Sequence, residues 1–176
     1  MDELMLVSPC ERYAGQVMAY REAMQKSGDS FDGCAGLEEV KSFSEWIDFE
    51  GRLRAKYGEE YVPSRVRLAI RARDDRLVGI IDLRHPLSPF LLQFGGSIGY
   101  SVHPPERKKG YATRMLALML DEARRIGIRR VLITCDRDNV ASRRTIVKNG
   151  GALENEVEDT AGLGHCGVIQ RYWIAL

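Results

Sequence analysis

At 176 residues, with 44% apolar and 29% charged side chains, the chain has the size and composition of one globular domain spanning 1–176. A formal charge of +1 argues against a nucleic-acid or anionic-membrane binder, so basic residues matter only where they cluster. There is no apolar run near the ~18 residues of a membrane helix, no basic-then-apolar leader and no C-x-x-C pair among Cys10, Cys34, Cys135 and Cys166, which together predict a cytoplasmic protein with reduced thiols, no disulfide framework and no metal.

In chain order, "ELMLVS" (3–8) reads as a short strand. Residues 10–26 and 43–57 carry helical spacing, through Tyr13, Val17, Tyr20 and Met24, then Phe43, Trp46, Ile47 and Leu53. Between them "SGDSFDGCAG" (27–36) is a glycine-rich loop. "VRLAIRA" (66–72) and "LVGIIDLR" (77–84), joined by "RDDR", read as a hairpin, and "SIGYSV" (97–102) as a strand entered through Gly95 and Gly96.

Next comes "VHPPERKKGYATRM" (102–115), in which Arg107, Lys108 and Lys109 gather against Gly110 where a helix begins. Ala112, Met115, Leu116, Met119, Ala123 and Ile126 mark one face of that helix, which stops at Gly127. "RVLITC" (130–135) is nearly all apolar, as in a strand buried on both faces. A helix over 139–149 stops at Gly150 and Gly151, and "ALENEVED" (152–159) with "CGVIQRYWIAL" (166–176) reads as a closing hairpin. The sum is a mixed α/β fold, with strand, helix and strand over 97–135 forming a parallel crossover.

The basic turn therefore sits where a strand ends and a helix starts. Helix-initial N–H groups lack intrahelical acceptors and the macrodipole is positive there, so an anion is the natural partner, with a merely solvated basic turn as the alternative reading of the motif taken alone. The motif is neither G-x-x-x-x-G-K-[ST] nor G-x-G-x-x-G, which argues against a nucleotide triphosphatase and a dinucleotide enzyme. Asp138 and Asn139, with Ser142 one turn on, open the next helix at the next strand end; one of the first two caps the helix, and side chains there share a crevice with the basic turn.

"IGYSVHPPERKKGYATRMLALMLDEA" followed by "VLITCDRDNVASRRTIVKNGG" resembles the acetyl-CoA-binding core of the GNAT superfamily of N-acetyltransferases. The R/Q-x-x-G-x-G/A signature falls on Arg107, Gly110 and Ala112, and the family's Asn and K-x-G on Asn139 and Lys148-Asn149-Gly150. The resemblance implies the GNAT fold, about seven strands and about four helices with splayed central strands 97–102 and 130–135. It implies acetyl transfer to a primary amine of a small molecule or a peptide or protein, with a homodimer allowed. Its cosubstrate would be acetyl-CoA, with the pyrophosphate on the amides of Lys108, Lys109, Gly110, Tyr111, Ala112 and Thr113, the lysines adding charge above them. Arg107, Asn139 and Ser142 would complete that site, and main-chain groups of Val102 would take the pantetheine arm and the oxyanion.

The chain departs from the family at the proton donor, because Ile146 stands where many members have tyrosine. Ser142 is a substitute candidate, although packing or cofactor bonding is the commoner role for a serine there, and Tyr172 in the last strand could reach the crevice or, as is commoner for Tyr-Trp in a strand, sit in the core. Asp82 and Glu154 are candidate bases with structural alternatives, a water chain would serve as well, and no base is named. His85, His103 and His165 have no metal-ligand spacing. The acceptor would lie between the loops 27–42 and 159–167, the first made acidic by Asp29, Asp32, Glu38 and Glu39. The competing class is a non-catalytic acyl-CoA sensor or docking module, supported by the missing tyrosine.

Overall fold

The computed structural model of the chain describes residues 3–55, 62–163 and 166–176. Strands β1 (Leu4–Val7), β2 (Ser64–Arg71), β3 (Arg76–Arg84) and β4 (Ile98–Val102) form one sheet in that order. Strands β5 (Arg130–Asp136), β6 (Ala152–Glu158) and β7 (Val168–Ala175) form a second, with β7 in the middle. Four α-helices join them: α1 (Ala14–Ser27), α2 (Phe43–Ala55), α3 (Tyr111–Arg125) and α4 (Val140–Lys148). A π-helical turn, Leu91–Gly95, which no sequence pattern announces, precedes β4. The expected last residues of α2, 56–57, lie outside the described residues, as do the Leu53 side chain and His165.

Period-two alternation in β2 feeds two cores. Val66, Leu68 and Ile70 face Tyr20, Met24 and Trp46 of the α1–α2 layer, all fully or almost fully buried. Ala69 turns the other way, toward Met115, Leu116 and Met119 of α3, whose spacing puts them on one stripe. β3 runs between the two layers and is buried at seven of its nine positions, which explains its unbroken Val-Gly-Ile-Ile run.

The fold class is the expected one, but the central strands part further than a parallel pair. Every described ladder is antiparallel, and β4 and β5 belong to different sheets. They meet at one place: the Ser97 N–H donates to the Leu132 carbonyl at 2.6 Å, and the Leu132 N–H to Ser97 Oγ at 3.0 Å. Gly96 lets the chains come this close, since a Cβ there would lie 2.9 Å from the Leu132 carbonyl oxygen. Beyond Ser97 the strands diverge, and the wedge between them opens the site.

Candidate active site

Three 3-10 residues, Pro104–Glu106, lead from β4 into the basic turn. Lys108 and Gly110 both take left-handed backbone, at φ 62° and 84°. The second is cheap only for glycine, and it turns the chain so that the amides ahead of α3 face the wedge. The first intrahelical bond runs from the Arg114 N–H to the Gly110 carbonyl. Among the described residues the N–H groups of Lys108, Lys109, Gly110, Ala112 and Thr113 have no backbone acceptor, the arrangement an anion fills. A Cβ on Gly110 would meet no atom within 4 Å, so the space above the turn is open to a ligand.

A buried ion cluster holds the turn from behind. Glu106, 3% exposed, binds Arg71 at 2.9 Å, Lys109 at 2.9 Å and Arg76 at 3.2 Å, and Arg71 also donates to the Tyr111 hydroxyl at 3.0 Å. Burial raises the Glu106 carboxyl, but the hydrogen bonds from Lys109 and Arg71 outweigh it and the net shift is downward. This corrects one expectation. The Lys109 ammonium does not stand over the amides: it reaches back to Glu106 and to the Pro105 carbonyl at 3.0 Å, because a buried carboxylate is the stronger attraction.

Arg107 also turns inward, donating Nε to the Val102 carbonyl at 3.1 Å and pairing with Asp29 of the 27–36 loop at 2.9 Å. The hydrogen bond from Arg107 holds the Asp29 carboxyl below its ordinary value. Antiparallel alternation decides where Val102 points. His103 donates to Val78 and Arg84 to Ser97, so the odd-numbered positions of this stretch bond β3 and the Val102 N–H faces the wedge.

A cleft of about 440 Å³ fills the wedge, lined by Val102, Arg107, Lys108, Gly110 through Thr113, and by Asn139 and Ser142 of the α4 end. Asn139 is the helix cap, its Oδ1 accepting the Ser142 N–H at 3.0 Å. Toward the start of β4 a second cavity, about 550 Å³, is lined by Ile98 to Tyr100, the acidic loop, the π-helical turn, the end of β5 and Ile169 of β7. The two cavities share Asp29, Ser30, Asp32, Tyr100, Asn139 and Ser142.

At that junction Tyr100, which carries no motif in the sequence, meets Ser142. Its hydroxyl lies 2.9 Å from Ser142 Oγ, joining β4 to α4 across the wedge. Burial pushes the phenol upward, so it stays protonated and can act as a donor. Cys135 beside them is pushed up to about 11, mainly by burial, which keeps it a neutral thiol. The only signal for Tyr100 in the sequence is its place near a strand end, ahead of the helix it meets.

Other candidates fall elsewhere. Tyr172 is buried in the core with Ile133 and Ile146 and donates to Gln170 Oε1 at 2.8 Å; it lines neither cavity. Its position on β7, opposite Ile133, turns the ring into the helix layer. Asp82 is chelated by Arg84 at 2.8 Å and accepts the Gly99 N–H, and Glu154 pairs with Arg171 at 2.8 Å, so both have structural partners. His103 stacks on Tyr20 with centroids 5.5 Å apart. Asp136, Asp138 and Cys166 bring three donor atoms within 4.8 Å at the edge of the second cavity, where the Cys166 thiol donates to Asp136.

Residues 11–152 match the family model described as an acetyltransferase (GNAT) domain, and the chain belongs to that family. No curated protein sequence matches it. Among solved structures it is similar to the microcin C7 self-immunity acetyltransferase MccE in complex with acetyl-CoA and AMP, at 18% identity and TM-score 0.72, covering 100% of this chain and 94% of that one. It is similar to RimL, a ribosomal L7/L12 α-N-protein acetyltransferase in complex with coenzyme A, at 18% identity and TM-score 0.73, covering 98% and 94%. The spermidine/spermine N-acetyltransferase SpeG from Vibrio cholerae gives 15% identity and TM-score 0.67, over 98% and 92%. Among the described residues no helix is long and apolar enough to cross a membrane.

Proposed function

We propose that the chain transfers an acetyl group from acetyl-CoA to a primary amine, borne by a small molecule or by a peptide or protein. The observation that carries this reading is the meeting of two cavities at one hydroxyl pair, Tyr100 and Ser142. A sensor needs only a cofactor cleft; a transferase needs a second opening onto the acyl group. The acetyl-CoA and coenzyme A named for two of the similar structures support the same assignment of the first cleft.

The residues fit the cosubstrate. The outward amides at Lys108 to Gly110, Ala112 and Thr113 suit a diphosphate, and the wedge beside β4 suits an extended arm. Bound there, acetyl-CoA supplies an acyl group activated as a thioester. The Val102 N–H is the donor for charge developing on the carbonyl oxygen, and Arg107 fixes that strand end by holding the Val102 carbonyl. Asn139 shapes the far wall as the α4 cap, and Ser142 holds the cofactor side while orienting Tyr100. Tyr100 donates a hydrogen bond to the leaving sulfur. Its upward-shifted phenol makes it a poor proton source, so the proton that ends on sulfur comes from the acceptor nitrogen or solvent.

Thermal unfolding with ligands tests the first half. CoA at a hundredfold excess over Kd raises stability by about 2.7 kcal/mol, while ATP and NAD do much less. A shift with ATP and none with millimolar CoA overturns the assignment. Release of CoA thiol on adding amines then separates transfer from mere binding.

A further inference from the structure

The second cavity has a chemistry of its own, and its selectivity for an acceptor rests on its being the acceptor side of the proposed transferase. Four of its lining residues, Asp29, Asp32, Asp136 and Asp138, are carboxylates, against the one guanidinium of Arg84. That guanidinium is already occupied. Its Nε and one terminal nitrogen hold Asp82 at 2.8 and 3.1 Å, and the other terminal nitrogen holds the Gly95 carbonyl at 3.2 Å. Asp29 is matched by Arg107, Asp138 lies 3.9 Å from the Arg137 guanidinium and Asp136 accepts the Cys166 thiol, but among the described residues no cation stands within ion-pair distance of Asp32, whose near partner is the Ser30 hydroxyl at 2.7 Å. The cavity thus favours a cation and offers nothing uncommitted to a carboxylate.

Its rim is of the opposite character. Leu91 and Phe94 come from the π-helical turn and Phe90 from the residue that caps it, with the two phenyl rings 5.6 Å apart, and Leu163 comes from the β6–β7 loop. Phe90 and Leu163 are 49% and 55% exposed, large apolar groups left in water where a ligand body would cover them. The loop that carries the carboxylates is itself pinned to β4. A Cβ on Gly33 would lie 2.3 Å from the Gly99 carbonyl oxygen, and Ser101 Oγ donates to the Asp32 carbonyl at 2.8 Å. The acidic wall therefore stands at a fixed distance from Tyr100, facing the apolar rim.

We infer that this cavity selects an acceptor amine carried on an apolar body of aromatic size and bearing no carboxylate. The ammonium is drawn in by the Asp32 wall, the body rests on Phe90, Phe94 and Leu163, and the nitrogen is delivered to the junction at Tyr100 once it has given its proton to solvent water. A free arylalkylamine and a peptide beginning with an aromatic residue share this chemistry.

The test is an acceptor panel with acetyl-CoA, reading thiol release: 2-phenylethylamine, phenylalanyl-glycinamide, phenylalanine and spermidine. Both carboxylate-free aromatic amines should exceed phenylalanine and spermidine in kcat/KM by about tenfold or more, and the faster of the two identifies the free or peptide source. Phe90→Ala, at a half-exposed position, should lower kcat/KM for the preferred amine several-fold while the thermal shift with CoA stays intact, and Asp32→Asn should raise KM. Phenylalanine or spermidine as the best acceptor overturns the inference, as does a Phe90→Ala variant with unchanged kcat/KM. So does a panel without turnover in a protein that still binds CoA, and that result leaves the cofactor assignment standing; loss of the CoA shift in the wild type fells the assignment itself.

Discussion

The two cavities are built by opposite means. The first is made of backbone: amides ahead of α3, a left-handed glycine and the outward N–H of a strand end, steadied by Glu106 behind the turn. The second is made of side chains from segments far apart in the chain, the 27–36 loop, the turn at 90–95, the end of β5 and the stretch around Leu163. A backbone site needs only a short local pattern, so its identity can be carried by a few adjacent residues. A side-chain site is specified by which residues the fold happens to assemble, and it is where specificity can vary.

If the first cavity is a braced backbone site, its brace should be the largest lever. Glu106→Gln removes the charge that Arg71, itself only 5% exposed in its side chain, is buried against. We expect about 3 kcal/mol of lost stability in denaturant unfolding, the scale of breaking a buried pair from one side. The same carboxyl gives an acid limit. Its value in the fold lies below the ordinary one, so the unfolded chain takes up the proton more readily. Its contribution is whole above the unfolded value of about 4.3 and drains as the pH falls through the folded one. In Glu106→Gln that part of the acid dependence should vanish. A variant with wild-type stability and an unchanged acid limb would show that the turn needs no brace.

Gly110→Val strikes the backbone site directly. Its φ of 84° is strained for a β-branched residue, and the added side chain projects into the open space over the amides. CoA affinity should fall about 10²-fold while the helical circular dichroism stays near wild type, because the position precedes α3 and packs against nothing. Unaltered affinity in a folded variant would rule the cradle out.

The contrast between the cavities also explains what is legible in the sequence. Arg107, Gly110, Ala112 and Asn139 can be read because each marks a backbone event, a turn or a cap, within a few residues. The strands and helices are readable for the same reason, down to the glycines that follow α3 and α4. Lys109 is misplaced by local reasoning because its partner, Glu106, becomes a buried carboxylate only when Arg71 arrives from β2. Tyr100 gives no local sign since Ser142 lies 42 residues away, and Tyr172, open to crevice or core in the sequence, goes to the core through its register opposite Ile133. The splaying of β4 from β5 is likewise a tertiary fact, which no local pattern announces and only the family resemblance implies, and it opens where Gly96 abuts Leu132.

Where the cavities join, smaller effects sharpen the roles of single hydroxyls. Tyr100→Phe keeps the ring and deletes one donor at the leaving sulfur, so kcat should fall about 10- to 10²-fold at unchanged CoA affinity. Because burial keeps this phenol protonated, the wild-type pH–rate profile should show no loss of activity from its titration below a pH of about 10. An unaffected kcat would take Tyr100 out of the chemistry.

Ser142 gives the smallest expected change and the finest distinction. Its Oγ lies 2.9 Å from the Tyr100 hydroxyl while its N–H is taken by the Asn139 cap, so Ser142→Ala removes a hydroxyl without unseating α4. If the serine serves the cofactor and steadies Tyr100, CoA binding weakens by about 0.5–1.5 kcal/mol, one neutral hydrogen bond, and kcat drops no more than a few-fold. If the serine itself protonates the sulfur, kcat falls about 10²-fold with affinity intact. The first outcome is expected, because Tyr100 stands at the same junction as a second hydroxyl donor and a thiol of pKa about 8.5 leaves without a strong acid. Measuring Kd and kcat together on Ser142→Ala and on the double variant with Tyr100→Phe separates the cases. Additive losses in kcat would mean two independent roles, whereas a double variant no worse than Tyr100→Phe alone would mean that the serine acts through the tyrosine.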